Sequence, residues 1–226
     1  MLTDVSVKML DICRRRLAGM TSLRAEALAF ATFSGTEDCF RPDAFDTCYG
    51  TAVLHHILDV RRLLGQIHRL LQPGGRAFFM EPNLRFHRAL TATLAAILAD
   101  WAHDGTLPRE DAIPMVCWMA EVHCNAVNSG ELDVLADRED KHLFVAEMFE
   151  AMADAAGFGM AAALPCGPDP TGENTIKVYM GQCGISSATT ARLLKAWPAA
   201  QRAWFGPLEP RDQSPSYLLW LAKSPR

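Results

Sequence analysis

The chain has 226 residues, of which half are hydrophobic and 21% are charged, as in ordinary globular proteins. Its formal net charge of -4 offers no basic surface, so we expect no nucleic-acid partner. The apolar run around Leu94–Leu98 is soon interrupted by Asp100 and Asp104. No run reaches membrane-spanning length, and no membrane partner is expected. This length suits one domain with a sizeable core, and we predict a single domain over residues 1–226.

The cysteines indicate a reducing environment. Seven cysteines are scattered along the chain without a C-x-x-C pair. Asp4 and Lys8 interrupt the N-terminus before any apolar stretch forms, so no signal peptide is predicted. We therefore expect reduced thiols in a cytoplasmic protein. Cys117, His123 and Cys124 lack any standard zinc spacing, and no metal site is predicted.

The first elements alternate strand and helix. Leu2 to Ser6 reads as a strand end, and Ser6 is a natural N-cap for the helix that follows. A second strand is predicted over residues 27–34, followed by a polar loop over residues 35–38. A third strand begins near Phe45 and ends near Tyr49. This order favours an α/β fold with a parallel sheet.

The helix with the clearest sequence pattern begins after Asp59. Apolar residues recur there with helical spacing, and Asp59 is placed to cap the first turn. Pro73-Gly74-Gly75 ends this helix, because proline lacks a donor and glycine turns left-handed readily. A buried strand over Arg76–Met80 follows. Strand, helix and strand in this order predict a right-handed crossover in a parallel sheet.

The second half of the chain is predicted to carry a helical cap, inserted at about residues 84–138. Its helices span residues 84–100 and 108–127. Further helices are predicted over residues 145–156 and 187–203, the latter interrupted by Pro198. Further strands are predicted over residues 158–164, 175–180 and 216–223.

Three motifs together resemble the class I methyltransferases that use S-adenosylmethionine (SAM). The first runs D-V-S-V-K-M-L from Asp4. The second joins Asp46, L-H-H at residues 54–56 and R-L-L-Q-P-G-G at residues 69–75. The third is D-K-H-L-F from Asp140, with A-G-F after the next helix. The resemblance implies a Rossmann-like sheet, a final antiparallel strand and SAM as the cofactor.

The resemblance also implies which residues bind SAM. Asp4 takes the ribose hydroxyls at the end of its strand, with Val5, Ser6 and Met9 beside it. Thr36, Glu37 and Asp38 form the loop against the adenine, and Gly50, Thr51 and Ala52 pass the sulfonium. From the residues alone, Asp4 also fits a solvated position near a terminus, and the loop fits an ordinary polar surface loop.

Other residues of these motifs and of the helical cap are candidates for contact with the methyl acceptor. His55 and His56 are candidate general bases, because imidazole titrates near neutrality, although a histidine here also suits a loop contact. His142 and Trp118 are candidate substrate contacts. His142 also suits an anchor for the helix start. Trp118, with its apolar neighbours, also suits the packing seam of a helical hairpin.

The family's glycine-rich loop is missing from the sequence, where its only G-x-G is Gly157-Phe158-Gly159. We therefore expect an N-terminally truncated class I sheet. The leading expectation is a SAM-dependent methyltransferase acting on a small-molecule or sugar-containing acceptor. The alternative is a non-catalytic remnant or partner subunit that no longer binds SAM. The sequence is compatible with either a monomer or a homo-oligomer.

Overall fold

The computed structural model describes residues 1–20, 28–35, 37–127, 131–138 and 140–225. Its strands are β1 (Leu2–Asp4), β2 (Phe30–Thr32), β3 (Phe45–Thr51), β4 (Leu71–Pro82), β5 (Met160–Cys166) and β6 (Ser216–Ala222). Its helices are α1 (Val7–Ala18), α2 (Val60–Leu70), α3 (Leu84–His103), α4 (Arg109–Val127), α5 (Leu132–Leu135), α6 (Ala146–Ala155), α7 (Glu173–Gln182), α8 (Ser187–Ala200) and α9 (Arg202–Phe205). This arrangement confirms the predicted α/β class.

The described strands form two sheets. β1 and β2 pair in parallel, and the other four strands lie in the order β3-β4-β6-β5. β3 and β4 are parallel, whereas β6 runs antiparallel to both of its neighbours. The parallel crossover and the antiparallel final strand are thus as predicted. Within the described residues, β1 and β3 are each hydrogen-bonded along one edge only.

Helix α2 begins as its sequence predicts, but it ends at Leu70, and Pro73-Gly74-Gly75 lies inside β4 instead of forming the predicted stop. The Asp59 carboxylate accepts a hydrogen bond from the Arg62 amide at 3.0 Å, which caps the first turn. After Leu70 the chain enters β4 through a bulge, because Phe45 pairs with Leu71 but Thr47 pairs with Arg76. A side chain at Gly75 would lie 2.8 Å from the Gln72 carbonyl oxygen, so the bulge needs a glycine there.

The main core lies on one face of the four-stranded sheet. Ala77, Phe79, Leu219 and Leu221 are buried there against α2 and α6. The opposite face carries register partners such as Tyr49, Phe78 and Trp220, and none of its residues is fully buried. Tyr49 is 72% exposed. The sheet is therefore packed on one side and only partly covered on the other.

A second core joins helices from two separate stretches of the chain. α3 packs against α8 and α9, and its apolar residues share one buried cluster with α4, α7 and α8. The helical layer thus includes residues 173–205 as well as the predicted insert. None of the helices within the described residues combines the length and hydropathy that a membrane crossing requires.

The strand predicted over residues 175–180 is wrong, because this stretch lies in α7. Ile176 and Met180 are one helical turn apart and both are completely buried in the helical core. Buried Asp169 accepts hydrogen bonds from the amide and hydroxyl of Thr175, each at 2.8 Å. Packing and this cap outweigh the strand preference of the β-branched residues. Pro198 does not end α8 either, since the helix continues to Ala200.

Candidate functional site

A cavity of about 420 Å³ lies beyond the carboxyl ends of β3 and β4. Ala52 and His55 come from the loop after β3, and Met80 and Pro82 from the end of β4. The helical layer closes the other side with Trp118, Glu121, Asn125, Tyr179, Gln182 and Cys183. Ligands of open α/β sheets bind at this end of the strands, so the cavity is the candidate site for a small molecule.

Glu81 orders the loop that carries the two histidines. Its carboxylate accepts hydrogen bonds from the backbone amides of Val53, Leu54 and His55 at 3.0, 2.8 and 3.2 Å. A fourth contact joins Glu81 Oε2 to His55 Nδ1 at 2.6 Å, and the Glu81 side chain is completely buried. A carboxylate only accepts hydrogen bonds, so Nδ1 carries the imidazole proton. In the neutral form of this ring, Nε2 is the acceptor atom.

Asp140 brings the two histidines into one cluster. Its Oδ1 lies 3.5 Å from His55 Nε2 and 3.5 Å from His56 Nδ1. The two imidazole rings are 4.0 Å apart between centroids. His55 and Asp140 line the cavity, whereas His56 is beside it with 39% of its side chain exposed. The structure thus groups both predicted catalytic histidines with a carboxylate from far along the chain.

His142 holds the loop in place. Its Nε2 lies 3.2 Å from the Leu58 carbonyl oxygen, and its backbone amide donates to the His55 carbonyl oxygen. Burial lowers the pKa of this imidazole, so it is neutral near pH 7 and donates from Nε2. His142 is not among the residues that line the cavity. These contacts fit an anchor, and the substrate contact remains a prediction.

Trp118 lies on the cavity wall beside Tyr179, with 4.7 Å between ring centroids. The Tyr179 hydroxyl is 2.9 Å from His87 Nε2, while His87 Nδ1 lies 2.8 Å from the Asn83 carbonyl oxygen. Burial lowers the pKa of His87, so this imidazole is neutral, donating to Asn83 and accepting from Tyr179. Trp118 also packs against the helical core and against a small buried cluster. That cluster consists of Leu84, Val122, Ala126 and Leu143. Trp118 thus belongs both to the cavity wall and to the packing between helices.

The polar lining of the cavity is acidic. Glu121 and Asp140 contribute carboxylates, and no lysine or arginine lines the cavity within the described parts of the chain. Asn125 is 3% exposed, and its Oδ1 has no hydrogen-bond partner among the described atoms. An unsatisfied buried acceptor is costly. The cavity is therefore suited to a neutral or cationic molecule that donates a hydrogen bond.

The predicted ribose-binding segment forms a tight turn. Asp4 ends β1, and its Oδ1 accepts a hydrogen bond from the Ser6 amide at 2.7 Å. Ser6 caps α1 by accepting from the Met9 amide. Val5 is 70% exposed and Met9 46% exposed. This segment is accessible to a ligand, and its role in SAM binding remains a prediction.

The predicted adenine loop is described only in part, because Thr36 lies outside the described residues. The Glu37 carboxylate accepts a hydrogen bond from the Ser34 amide at 2.9 Å. Asp38 Oδ1 lies 2.5 Å from Arg69 Nη2 on α2, although the Asp38 side chain is 75% exposed. Both carboxylates thus make contacts within the protein, and their contact with adenine remains a prediction.

Gly50, Thr51 and Ala52 follow one another at the end of β3. The Thr51 hydroxyl donates to the Tyr49 hydroxyl at 2.6 Å, and both residues are exposed. Ala52 has a positive φ of 54° and donates its amide to the Met80 carbonyl oxygen. Of these three predicted residues, only Ala52 lines the cavity.

Gly50 is required by packing. A β-carbon there would lie 2.7 Å from Phe79, which is buried in the sheet core. We expect Gly50→Ala to reduce the free energy of unfolding by about 1–3 kcal/mol through overpacking. The control is Gly65→Ala in α2, where nothing lies within 4 Å of the added carbon. It should stabilise the protein by about 0.5–1 kcal/mol. Equal effects of both changes in urea unfolding would contradict this account.

Sequence reasoning missed Glu81, Asn125 and Tyr179 as site residues. Glu81 ends an apolar strand directly before Pro82, and a carboxylate at the carboxyl end of a parallel strand was the available signal. Asn125 and Tyr179 lie on helices whose faces are set only by packing. No local pattern distinguishes them.

The chain is similar to known methyltransferases in part of its sequence and in its fold. Residues 1–77 match the sequence profile of a family described as a methyltransferase domain. No curated protein sequence matches the chain. A putative methyltransferase from Bacillus halodurans superposes with a TM-score of 0.51 at 12% identity, covering 98% of this chain and 81% of that one.

A second solved structure is phosphoethanolamine N-methyltransferase 2 from Haemonchus contortus in complex with S-adenosyl-L-methionine. It superposes with a TM-score of 0.50 at 16% identity, covering 99% of this chain and 43% of that one. The chain has the class I methyltransferase fold. It spans less than half the length of the Haemonchus enzyme.

The sequence match covers only part of the fold, whereas the structural superpositions cover almost the whole chain. The family match ends at Ala77 and includes β1, β2, β3 and α2. Glu81, Asp140 and the helical wall of the cavity lie beyond it. The sequence match therefore includes the residues predicted to bind SAM, and the cavity combines Ala52 and His55 from the matched part with residues that lie beyond it.

Proposed function

We propose that the protein is a SAM-dependent methyltransferase whose acceptor is a small molecule bound in the cavity. The observation that carries the proposal is the position of His55. Its Nδ1 is bound by buried Glu81, and His55 lines the cavity together with Ala52. By resemblance, Ala52 passes the sulfonium of SAM. A methyl donor and an activating imidazole would then meet at one end of the cavity.

Methyl transfer of this kind depends mainly on positioning. Bound SAM would supply an electrophilic methyl group, and the cavity would hold the nucleophilic atom of the acceptor in line with it. A proton on the nucleophile must leave. His55 Nε2 has the lone pair to accept it, and Glu81 stabilises the resulting imidazolium. The sequence-based assignment of His55 as a general base is thus retained as a proposal.

The acceptor is restricted by the cavity's charge. Glu121 and Asp140 disfavour phosphate or carboxylate groups, because no lysine or arginine lines the described cavity to pair with them. The Asn125 carbonyl oxygen needs a donor, which a hydroxyl or amine would supply. We therefore favour a neutral or cationic hydroxyl- or amine-bearing acceptor, and sugars remain within this class.

The alternative is a partner subunit that does not bind SAM by itself. One observation favours it: within the described residues, β1 and β3 are unpaired on one edge each, and the strands form two sheets. On this alternative the strand ends that would hold SAM are not fixed relative to each other.

Calorimetric titration with SAM and with S-adenosylhomocysteine separates the two functions. For the enzyme we expect micromolar binding of both, weakened at least about tenfold by Asp4→Ala because ribose contacts are lost. Asp11→Ala, which removes an exposed ion pair with Arg14 on α1, is the control and should bind normally. Absence of heat at millimolar ligand would instead support the partner subunit.

A further inference from the structure

We propose that His55, His56 and Asp140 form a binding site for a divalent transition-metal ion such as Zn²⁺. Each residue offers one ligand atom, and the three atoms lie within 4.8 Å of one another. Two imidazole nitrogens with one carboxylate oxygen are a ligand set that zinc and iron(II) both accept. The site is formed by two adjacent histidines after β3 and by the Asp140 carboxylate, which lies far along the chain from them.

The distances fit ligands of one metal better than they fit hydrogen bonds. Asp140 Oδ1 is 3.5 Å from both His55 Nε2 and His56 Nδ1, beyond the usual range of an N–H···O bond. Two ligands bound tetrahedrally to zinc at about 2.0–2.1 Å would be roughly 3.3–3.4 Å apart. The two observed separations are thus close to the edge of such a coordination polyhedron.

The contacts behind His55 prepare it as a ligand. Its Nδ1–H donates to Glu81, whose side chain is completely buried, and this fixes the ring with Nε2 towards Asp140. Metal-binding histidines usually have such a carboxylate behind them. Asp140 Oδ1 lies 3.5 Å from Nε2 on the other side of the ring, where one cation would contact both atoms.

The site has an entry route and free coordination positions. The His56 and Asp140 side chains are 39% and 45% exposed, so an ion can reach them from solvent. His55 and Asp140 also line the cavity, which leaves the remaining positions to water or to an oxygen or nitrogen of the bound molecule. Three protein ligands with an open position are typical of catalytic zinc sites.

A bound ion would change how His55 activates the acceptor. Nε2 would donate its lone pair to the ion, and the ion would lower the pKa of a bound acceptor hydroxyl, whose proton passes to solvent. This role depends on the proposed methyl transfer. Metal binding itself does not, so the two can fail separately.

The test is calorimetric titration of chelator-treated protein with Zn²⁺, without SAM. We expect one equivalent to bind with a dissociation constant of about micromolar or below, and at least roughly tenfold weaker binding in His56→Ala and Asp140→Asn. Both side chains are partly exposed, so these variants should fold. The controls are His103→Ala on α3 and His123→Ala on α4, two exposed histidines outside the cluster, which should bind normally.

Cobalt(II) provides a second readout. Bound at this site, it should give visible absorption bands without the near-ultraviolet thiolate band of a cysteine ligand, and the bands should vanish in Asp140→Asn. The proposal is overturned if the folded protein binds no ion, if both variants bind as the parent does, or if a thiolate band places the ion at a cysteine. Loss of SAM binding alone would leave it standing.

Discussion

Replacing Glu81 by alanine should lower the free energy of unfolding by about 3 kcal/mol or more. The carboxylate is completely buried and accepts from three backbone amides and from His55 Nδ1. Each buried donor left without a partner costs about 1–3 kcal/mol, although water entering the vacated space would recover part of this. Urea unfolding followed by circular dichroism measures the loss.

The matched control for this change is Glu173→Ala on α7. Glu173 makes an exposed ion pair with Lys177 one turn away, and such pairs contribute about 0.5 kcal/mol or less. A Glu81→Ala protein as stable as this control would show that the loop after β3 does not depend on the buried carboxylate. The placement of His55 would then need another cause.

Replacing Trp197 by alanine should destabilise the protein by about 3–5 kcal/mol, the usual range for a buried tryptophan. Trp197 on α8 is completely buried in the helical core. Its Nε1 also donates to the Thr171 carbonyl oxygen at 2.8 Å, just before α7 begins. Because α7 carries Tyr179, Gln182 and Cys183 on the cavity wall, the change should also loosen the cavity.

Trp197→Phe removes the hydrogen bond but keeps a ring in the core. It should therefore lower the free energy of unfolding by less than Trp197→Ala does. Trp204→Ala on α9 is the surface control, because this side chain is 46% exposed and should cost about 0.5 kcal/mol or less. Equal losses at positions 197 and 204 in urea unfolding would contradict the assembly of the helical layer described above.

Local sequence determined those helices and strands whose caps and apolar spacing lie within their own residues. Asp59 and Ser6 are caps in the structure as predicted, since an N-cap needs only its own side chain and the next turn. The crossover from β3 through α2 to β4 likewise follows from apolar spacing, although β4 begins at Leu71 and includes Pro73-Gly74-Gly75. In α7, by contrast, the β-branched residues favour a strand, and burial of Ile176 and Met180 decides for a helix.

The sequence by itself determined the α/β order and the resemblance to SAM-dependent methyltransferases. It also identified His55 and His56 as candidate general bases. Tertiary structure alone decided that Glu81 lies beneath His55, that Asp140 joins both histidines, and that α7 closes the cavity. The physical reason is that pairing between residues distant in sequence depends on how strands and helices pack. Local propensity and periodicity contain no information on those distances.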